Sequence, residues 1–190
     1  MIIISDPYTK AELVQSLESA NREVADYFAS IAAEAFFTRF GEAWSPAENL
    51  VHLIKSVSAV AKGMKLPKIF LLALFGTSKK SSRRFAQLTK DYRDKLAKGG
   101  RATGRYIPLV NAPVDFEQAR QGILKKFDEV GKRLPAAASR WDEKSLDKFT
   151  LPHPLLGKLT VREMLFFTMY HNLHHLNNVR RQRGHEVITV

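Results

Sequence analysis

The chain has 190 residues, a formal net charge of +11 and no cysteine. This length suits one domain with a substantial core, and the lack of cysteine excludes disulfide frameworks, thiolate metal sites and cysteine nucleophiles. The N-terminus has no signal-peptide pattern, and the longest strongly apolar run, residues 69–75, is far shorter than the roughly 20 residues of a membrane-spanning helix. We therefore expect a single domain over residues 1–190 and a cytoplasmic protein.

The excess positive charge lies in one segment. Residues 79–105 contain ten Lys or Arg and two acids, Asp91 and Asp94, which gives a net charge of +8. Aromatic residues alternate with these cations, and this pattern suits an anionic partner such as nucleic acid or a membrane surface. The simpler interpretation is a solvated helix face. Because no nucleic-acid-binding motif is recognisable, we expect no nucleic-acid partner.

Capping signals predict where the main helices begin. In a capping box, a hydroxyl and a carboxylate three residues later each satisfy a free backbone amide. A weaker signal needs only an acidic cap residue. The sequence contains three capping boxes and one weaker pair: Thr9 with Glu12, Ser45 with Glu48, Thr160 with Glu163, and Asp115 with Gln118.

The first two helices are predicted over residues 10–37 and 46–64, because apolar residues recur there every three or four positions. Gly41 follows the first helix, and Pro67 follows the second. A crossover of about fifty residues comes next. Its first part is compatible with helix but broken at Gly76, a loop follows, and residues 106–108 are expected to anchor on the helices. A connection this long is often functional.

The last two helices are predicted over residues 116–134, stopped by Pro135, and over residues 161–183, with Gly184 just past the end. Residues 136–159 between them predict a structured loop with a short extended pair. The sequence therefore predicts an all-α fold, a four-helix bundle with a long crossover between helices two and three.

Three histidines are candidate metal ligands. His171 and His175 lie four residues apart on the last predicted helix, and so share one face about 6 Å apart along the axis. His52 lies in the apolar second helix, where a buried imidazole needs a partner. That partner is either a backbone carbonyl or hydroxyl, or a metal shared with the last helix. His174 projects about 100° away from His175 and is expected outside the ligand set. Three neutral ligands would leave coordination positions open, as in catalytic metal sites.

Short motifs resemble those of one protein family. Residues 44–53, 155–160 and 171–175 are similar to the start of helix two, the approach to helix four and the doubled-histidine signature of the DinB-like (YfiT-like) superfamily of bacterial metal-dependent proteins. Residues 98–108 resemble its crossover. The resemblance covers nearly the whole chain and implies a divalent metal, zinc or nickel, on His52, His171 and His175. Asn178 is a departure, since the family often has glutamine there.

The resemblance implies two kinds of chemistry, transfer reactions that use a low-molecular-weight thiol and metal-dependent hydrolysis. Hydrolysis normally needs a general base near the metal-bound water. Glu48 is the one carboxylate that the sequence places on a ligand face, and it is already the capping acid of helix two. Met164, Thr168 and Asn178 share the ligand face of the last helix and are expected to line a pocket for a small-molecule substrate. The basic crossover would attract an anionic thiol.

Two other hypotheses compete with a metalloenzyme. The chain is a non-catalytic module that binds an anionic ligand through residues 79–105, in which case binding falls steeply with added salt. Alternatively the histidines are structural, and a metal, if present, only stabilises the fold. Residues 69–75 are in addition a candidate contact for a homodimer, because members of the resembled family often pair.

Overall fold

The computed structural model describes residues 6–189, and these residues are mostly helical with one small sheet. The predicted helical class is confirmed. The helices are α1 (Lys10–Ala29), α2 (Ala33–Phe37), α3 (Pro46–Lys65), α4 (Lys68–Phe75), α5 (Phe85–Ala97), α6 (Phe116–Ala138), α7 (Glu143–Lys148) and α8 (Val161–Gln182), and the strands are β1 (Thr150–His153) and β2 (Gly157–Thr160). A 3-10 turn spans Gly104–Tyr106.

All three predicted capping boxes form. Thr9, Ser45 and Thr160 each accept a hydrogen bond from the amide three residues later, and the glutamate at that position accepts one from the cap's own amide. Asp115 caps α6 by accepting from the amide of Gln118. These bonds satisfy amides that have no partner inside the helix. As a result, the four longest helices begin at the predicted residues.

The prediction of the first helix is wrong at its C-terminal end, because the chain forms two helices, α1 and α2, in its place. The Ser30 hydroxyl donates to the carbonyl of Tyr27 at 2.7 Å, which competes with continuation of the helix. The Ile31 amide bonds back to the carbonyl of Phe28 in a tighter turn, and Ala32 is extended with ψ 147°. The chain then restarts as a short helix at Ala33.

The predicted stop at Pro135 is also wrong, since α6 continues through it to Ala138. Proline cannot donate to the carbonyl four residues earlier, which here is that of Gly131. That carbonyl instead accepts a hydrogen bond from the Asn21 side-chain amide of α1 at 2.9 Å. The Asn21 side-chain oxygen in turn accepts from Asn172 of α8 at 2.8 Å. A neighbouring helix thus supplies the bond that the proline removes.

The four longest helices share one core. α1 and α3 each pack against both α6 and α8, and the core between them contains fully buried Leu17, Phe28, Leu53, Phe127 and Phe166. α8 is buried along most of its length. Polar side chains on α8 are therefore held inside the protein and need internal partners.

The crossover packs against this core, and several of its predicted features are present. It breaks at Gly76, whose φ of +77° favours glycine, and α5 packs against α8. The carbonyls of Tyr106 and Ile107 bond to side chains of α3, so this segment is anchored as expected. Within residues 6–189, no helix is both long and apolar enough to cross a membrane.

The segment before α8 contains the predicted extended pair. β1 and β2 are antiparallel, with Thr150 opposite Thr160 and His153 opposite Gly157. The short helix α7, which the sequence did not predict, precedes this hairpin and is capped by Asp142. The hairpin therefore places His153 close to the N-terminal half of α8, where its ring lies 4.2 Å from that of Phe167.

Candidate metal centre

The three candidate histidines converge between two helices. His52 comes from α3, and His171 and His175 come from α8; all three are buried. One ring nitrogen from each lies within 4.8 Å of those of the other two, and the Nε2 atoms of His52 and His171 are 3.1 Å apart. The predicted histidine group therefore exists in the folded chain.

Hydrogen bonds fix the protonation of two of these rings. His52 Nδ1 lies 2.7 Å from the carbonyl oxygen of Tyr106, and His175 Nδ1 lies 2.7 Å from Asn49 Oδ1. The Asn49 Nδ2 group donates to the carbonyls of Trp44 and Ser45, so its oxygen must face the histidine. Both Nδ1 atoms therefore carry the proton, and both Nε2 atoms keep a lone pair.

His171 is the least satisfied of the three. Among residues 6–189 its Nδ1 is buried without a hydrogen-bond partner. Its Nε2 faces the lone pair of His52 Nε2 at 3.1 Å. An ion held by the Nε2 atoms would not give Nδ1 a partner, so the support for an ion is the convergence of three ring nitrogens within 4.8 Å of one another. A divalent cation among three imidazole nitrogens fits this donor set.

The local environment keeps the rings neutral. Burial lowers the pKa of His171 and of His175 well below the ordinary value, and the neighbouring histidines lower it further. Burial also lowers the pKa of His52, although its bond to the Tyr106 carbonyl partly opposes this effect. Neutral imidazole is the form that binds a metal. The site is therefore in its binding form at neutral pH.

A cavity of about 720 Å³ opens onto the histidines. This volume lies in the range of small-molecule sites. Its walls include the aromatic rings of Trp44, Tyr92 and Phe167, and the Trp44 ring stacks on that of His175 at an interplanar angle of 12°. Burial raises the pKa of Tyr92 far above its usual value, so its hydroxyl stays protonated.

The predicted pocket residues fall in different places. Met164 and Asn178 line the cavity, and Thr168 is not among its lining residues. The Thr168 hydroxyl instead donates to the carbonyl of Met164 at 2.8 Å. His174 also lines the cavity, with its Nε2 3.3 Å from Asn178 Nδ2.

Glu48 faces away from this cavity. Its carboxylate accepts from Arg39 Nε at 2.8 Å and from the Ser45 amide at 2.8 Å, and it lines a separate, smaller cavity. Burial raises the pKa of Glu48, but the bonds from Arg39 and Ser45 outweigh burial and leave the pKa below its usual value. The carboxylate is thus engaged in an ion pair and a helix cap.

Two residues near the histidines were not identified from the sequence. Asn49 lies three residues before His52 on the same helix, and that spacing is a signal that could have found it. His153 lines the cavity from the β1–β2 hairpin, where its Nδ1 accepts from the amides of Leu155 and Leu156. Burial lowers the pKa of His153 to about 4. No sequence spacing relates His153 to the other histidines, because a hairpin brings it there.

Comparison with known proteins gives a family and a structural similarity. A model of the DinB superfamily matches residues 11–179. No curated protein matches the sequence. The crystal structure of colibactin self-resistance protein ClbS in complex with a dsDNA aligns with a TM-score of 0.46 and 16% identity, over 95% of this chain and 96% of that one. A similarity of this size carries no conclusion about what the present chain binds.

Proposed function

The chain belongs to the DinB superfamily, and from this membership we propose that it is a metal-dependent enzyme that holds one divalent ion through His52, His171 and His175. The observation that carries the proposal is the state of the three rings. Two of them have Nδ1 tied to fixed acceptors, which leaves Nε2 unprotonated, and one ring nitrogen of each of the three lies within 4.8 Å of those of the other two. Nitrogen ligands alone do not choose between zinc and nickel.

In the proposed reaction, the bound ion would activate either the thiol of a small molecule or a water molecule. A divalent ion on three imidazoles keeps open positions and lowers the pKa of a thiol or water bound there. The aromatic walls supplied by Trp44, Tyr92 and Phe167 shield that position from bulk water, which strengthens electrostatic interactions inside the cavity. The cavity volume supports a small-molecule substrate.

The lining residues favour a thiol over water. Hydrolysis needs a general base whose pKa is near the working pH. Burial lowers the pKa of both His153 and His174 to about 4, and Glu42 is the one carboxylate among the lining residues. Glu48, the weak candidate for a base, is held by Arg39. A thiol needs only to lose its proton on binding, so we infer a thiol-dependent transferase first and a hydrolase second.

We also propose that α1, α3, α6 and α8 are the four helices of a bundle, with α4, α5 and the following loop as its long crossover. The packing of α1 and α3 against both α6 and α8 supports this arrangement. We treat residues 1–190 as a single domain, since the family match covers residues 11–179.

Metal content tests the proposal directly. Protein purified without a histidine tag is analysed by elemental mass spectrometry beside a His171→Ala/His175→Ala double variant. The matched control is His185→Ala, a histidine that bonds to Tyr27 at 2.8 Å outside the site. We expect about one equivalent of zinc or nickel in wild type and control, and none in the double variant. Wild type that stays free of metal after dialysis against zinc or nickel overturns the proposal.

A non-catalytic anion-binding role is the second candidate. In residues 79–105, Arg83, Arg84 and Lys90 form ion pairs with carboxylates, while Lys79 and Lys80 are exposed and form none among residues 6–189. We keep the prediction that the chain binds no nucleic acid. Duplex DNA titrated at increasing salt tests it, since binding that weakens steeply with salt would show phosphate contacts.

A further inference from the structure

The short helix α4 presents apolar side chains to solvent. Ile69 is 71% exposed, Phe70 55%, Leu72 50% and Leu74 62%; we call these four residues the α4 face. Leu71 on the opposite side is fully buried and fixes the helix to the core. Isolated exposed apolar residues are common, but a contiguous group marks an interaction surface.

The sequence around this face carries charge of one sign. The sequence has no Asp or Glu between Glu48 and Asp91 but contains nine Lys or Arg there. Five exposed lysines lie next to α4 in the sequence or the fold and form what we call the basic rim: Lys65, Lys79, Lys80, Lys148 and Lys158.

Contacts place the rim at the ends of α4. Lys65 precedes the helix by three residues. At the other end, Lys158 Nζ donates to the carbonyl of Phe75 at 2.8 Å, and the Ser78 amide donates to the carbonyl of Lys148 at 2.8 Å. The carboxylate of Asp142 is paired with Lys68 at 2.8 Å. The apolar face is thus flanked by cations at both ends.

We propose that the α4 face and its basic rim dock the protein on an anionic lipid surface. An apolar helix face flanked by lysines lies in the membrane interface, with the apolar side chains at the boundary of headgroups and acyl chains and the lysines near the phosphates. Eight residues are far too few to span a bilayer, so docking is peripheral. This surface is independent of the metal centre and of the proposed reaction.

The rim argues against a second copy of this chain as the occupant. A two-fold contact through the α4 face would bring the lysines of both copies together, and like charges facing each other across an interface are unfavourable. Duplex DNA fits the lysines, but its phosphate backbone offers nothing to the aliphatic side chains of Ile69, Leu72 and Leu74. Anionic lipid satisfies both features.

Vesicle co-sedimentation tests the proposal, with vesicles of phosphatidylcholine alone or mixed with phosphatidylglycerol. We expect the wild type to bind the mixed vesicles and not the neutral ones, and to bind less at high salt. Phe70→Ser/Leu74→Ser should weaken binding at least tenfold, a rough value for removing two inserted apolar side chains. Lys79→Gln/Lys80→Gln should weaken it about fivefold per lysine.

The matched control is Leu109→Ser, because Leu109 is 83% exposed but lies outside the α4 face; it should bind as wild type. All these positions are at the surface, so circular dichroism should show folded variants. Equal vesicle binding by wild type and Phe70→Ser/Leu74→Ser would overturn the proposal. So would light scattering that shows a dimer which this variant converts to a monomer, since the face would then belong to a second copy.

Discussion

The start and the middle of α8 bury polar side chains in opposite ways. Near the N-terminus, Arg162 is 1% exposed, yet its donors reach Asp147 at 2.7 and 3.0 Å, Glu143 at 2.7 Å and the carbonyl of Tyr8. At the middle of the helix, His171 is also buried, and its Nδ1 has no hydrogen-bond partner among residues 6–189.

This difference separates a structural side chain from candidate functional side chains on the same helix. Arg162 is explained by the fold alone, because its charge is balanced and each of its nitrogens has an acceptor. The histidine cluster is not explained in that way, since three neutral imidazoles converge in it and His171 Nδ1 has no partner among residues 6–189. An unpaired atom alone does not mark a functional site, since Asn172 Oδ1 on the same helix is also buried without a partner among residues 6–189; the convergence of three imidazole nitrogens within 4.8 Å is what distinguishes the cluster.

Removing Arg162 should produce the largest effect. Arg162→Met leaves the carboxylates of Asp147 and Glu143 without their cation, and we expect a loss of about 3 kcal/mol in the free energy of unfolding, measured in urea. The control is Arg133→Met, which breaks an exposed pair with Glu129 and should cost less than about 1 kcal/mol. Equal losses would remove the contrast between buried and exposed pairs.

Zinc bound to the histidines of α8 should stabilise the protein by a similar amount. At a free zinc concentration about a hundred times the Kd, a single site adds about 3 kcal/mol to the free energy of unfolding. Thermal melts with and without zinc measure the gain. His171→Ala/His175→Ala should show none, and Arg162→Met should keep it in full. An equal shift in the double variant would mean that the ion binds elsewhere.

Acidification should affect the buried histidines first. The pKa of His153 is about 4 in the folded chain against an ordinary 6.5, so below pH 6.5 the unfolded chain takes up a proton that the folded chain does not. The free energy of unfolding therefore decreases as the pH is lowered. This group alone contributes a loss of about 2 kcal/mol at about pH 5. His153→Asn should make that part of the urea midpoint profile less steep, measured without zinc, and the slope that remains comes from the other buried histidines, whose pKa values are also lowered.

The Arg162 end should respond only at lower pH. Burial raises the pKa of Asp147, but the bonds from Arg162 and Ser82 outweigh burial and bring the pKa below its usual value. The stability from this carboxylate is present above the ordinary carboxyl pKa and is lost as the pH falls through the folded value.

For the histidine prediction, a profile of His153→Asn that matches wild type between pH 6.5 and about pH 5 would contradict the assignment to His153.

The smallest effect should come from Asn49. Asn49→Ala removes the acceptor that orients His175 and should weaken zinc binding about tenfold, measured by competition with a chelating dye. Asn49→Asp keeps an acceptor and should restore most of the affinity. Asn178→Ala, which alters the cavity wall but no predicted ligand, is the control. If both alanine variants bind zinc as wild type does, Asn49 does not position His175.

The sequence predicted helix starts better than helix ends. Starts depend on local capping groups, which Thr9, Ser45 and Thr160 supply within three residues. The misplaced end at Pro135 depended on Asn21, more than a hundred residues away, which bonds the carbonyl that proline leaves free. A local pattern contains no information about such a partner.

The histidine site divides in the same way. His52, His171 and His175 could be identified from the sequence because helical spacing and family motifs are both defined by residue types. His153 was missed because a hairpin, not a helix repeat, brings it to the cavity. The partner of His52 is a main-chain carbonyl, which every residue type has, so no sequence motif could identify Tyr106.

That carbonyl has a consequence for how the protein can vary. Because Tyr106 holds His52 through its backbone and Ile107 holds Lys55 in the same way, side-chain replacements at these positions can leave both bonds intact. An added or deleted residue between the end of α5 and Tyr106 would move the carbonyl out of reach. We therefore expect this stretch to be constrained in length and, at Gly99 and Gly104 with their positive φ angles, in residue identity. At its other positions an insertion scan would detect what an alanine scan would pass over.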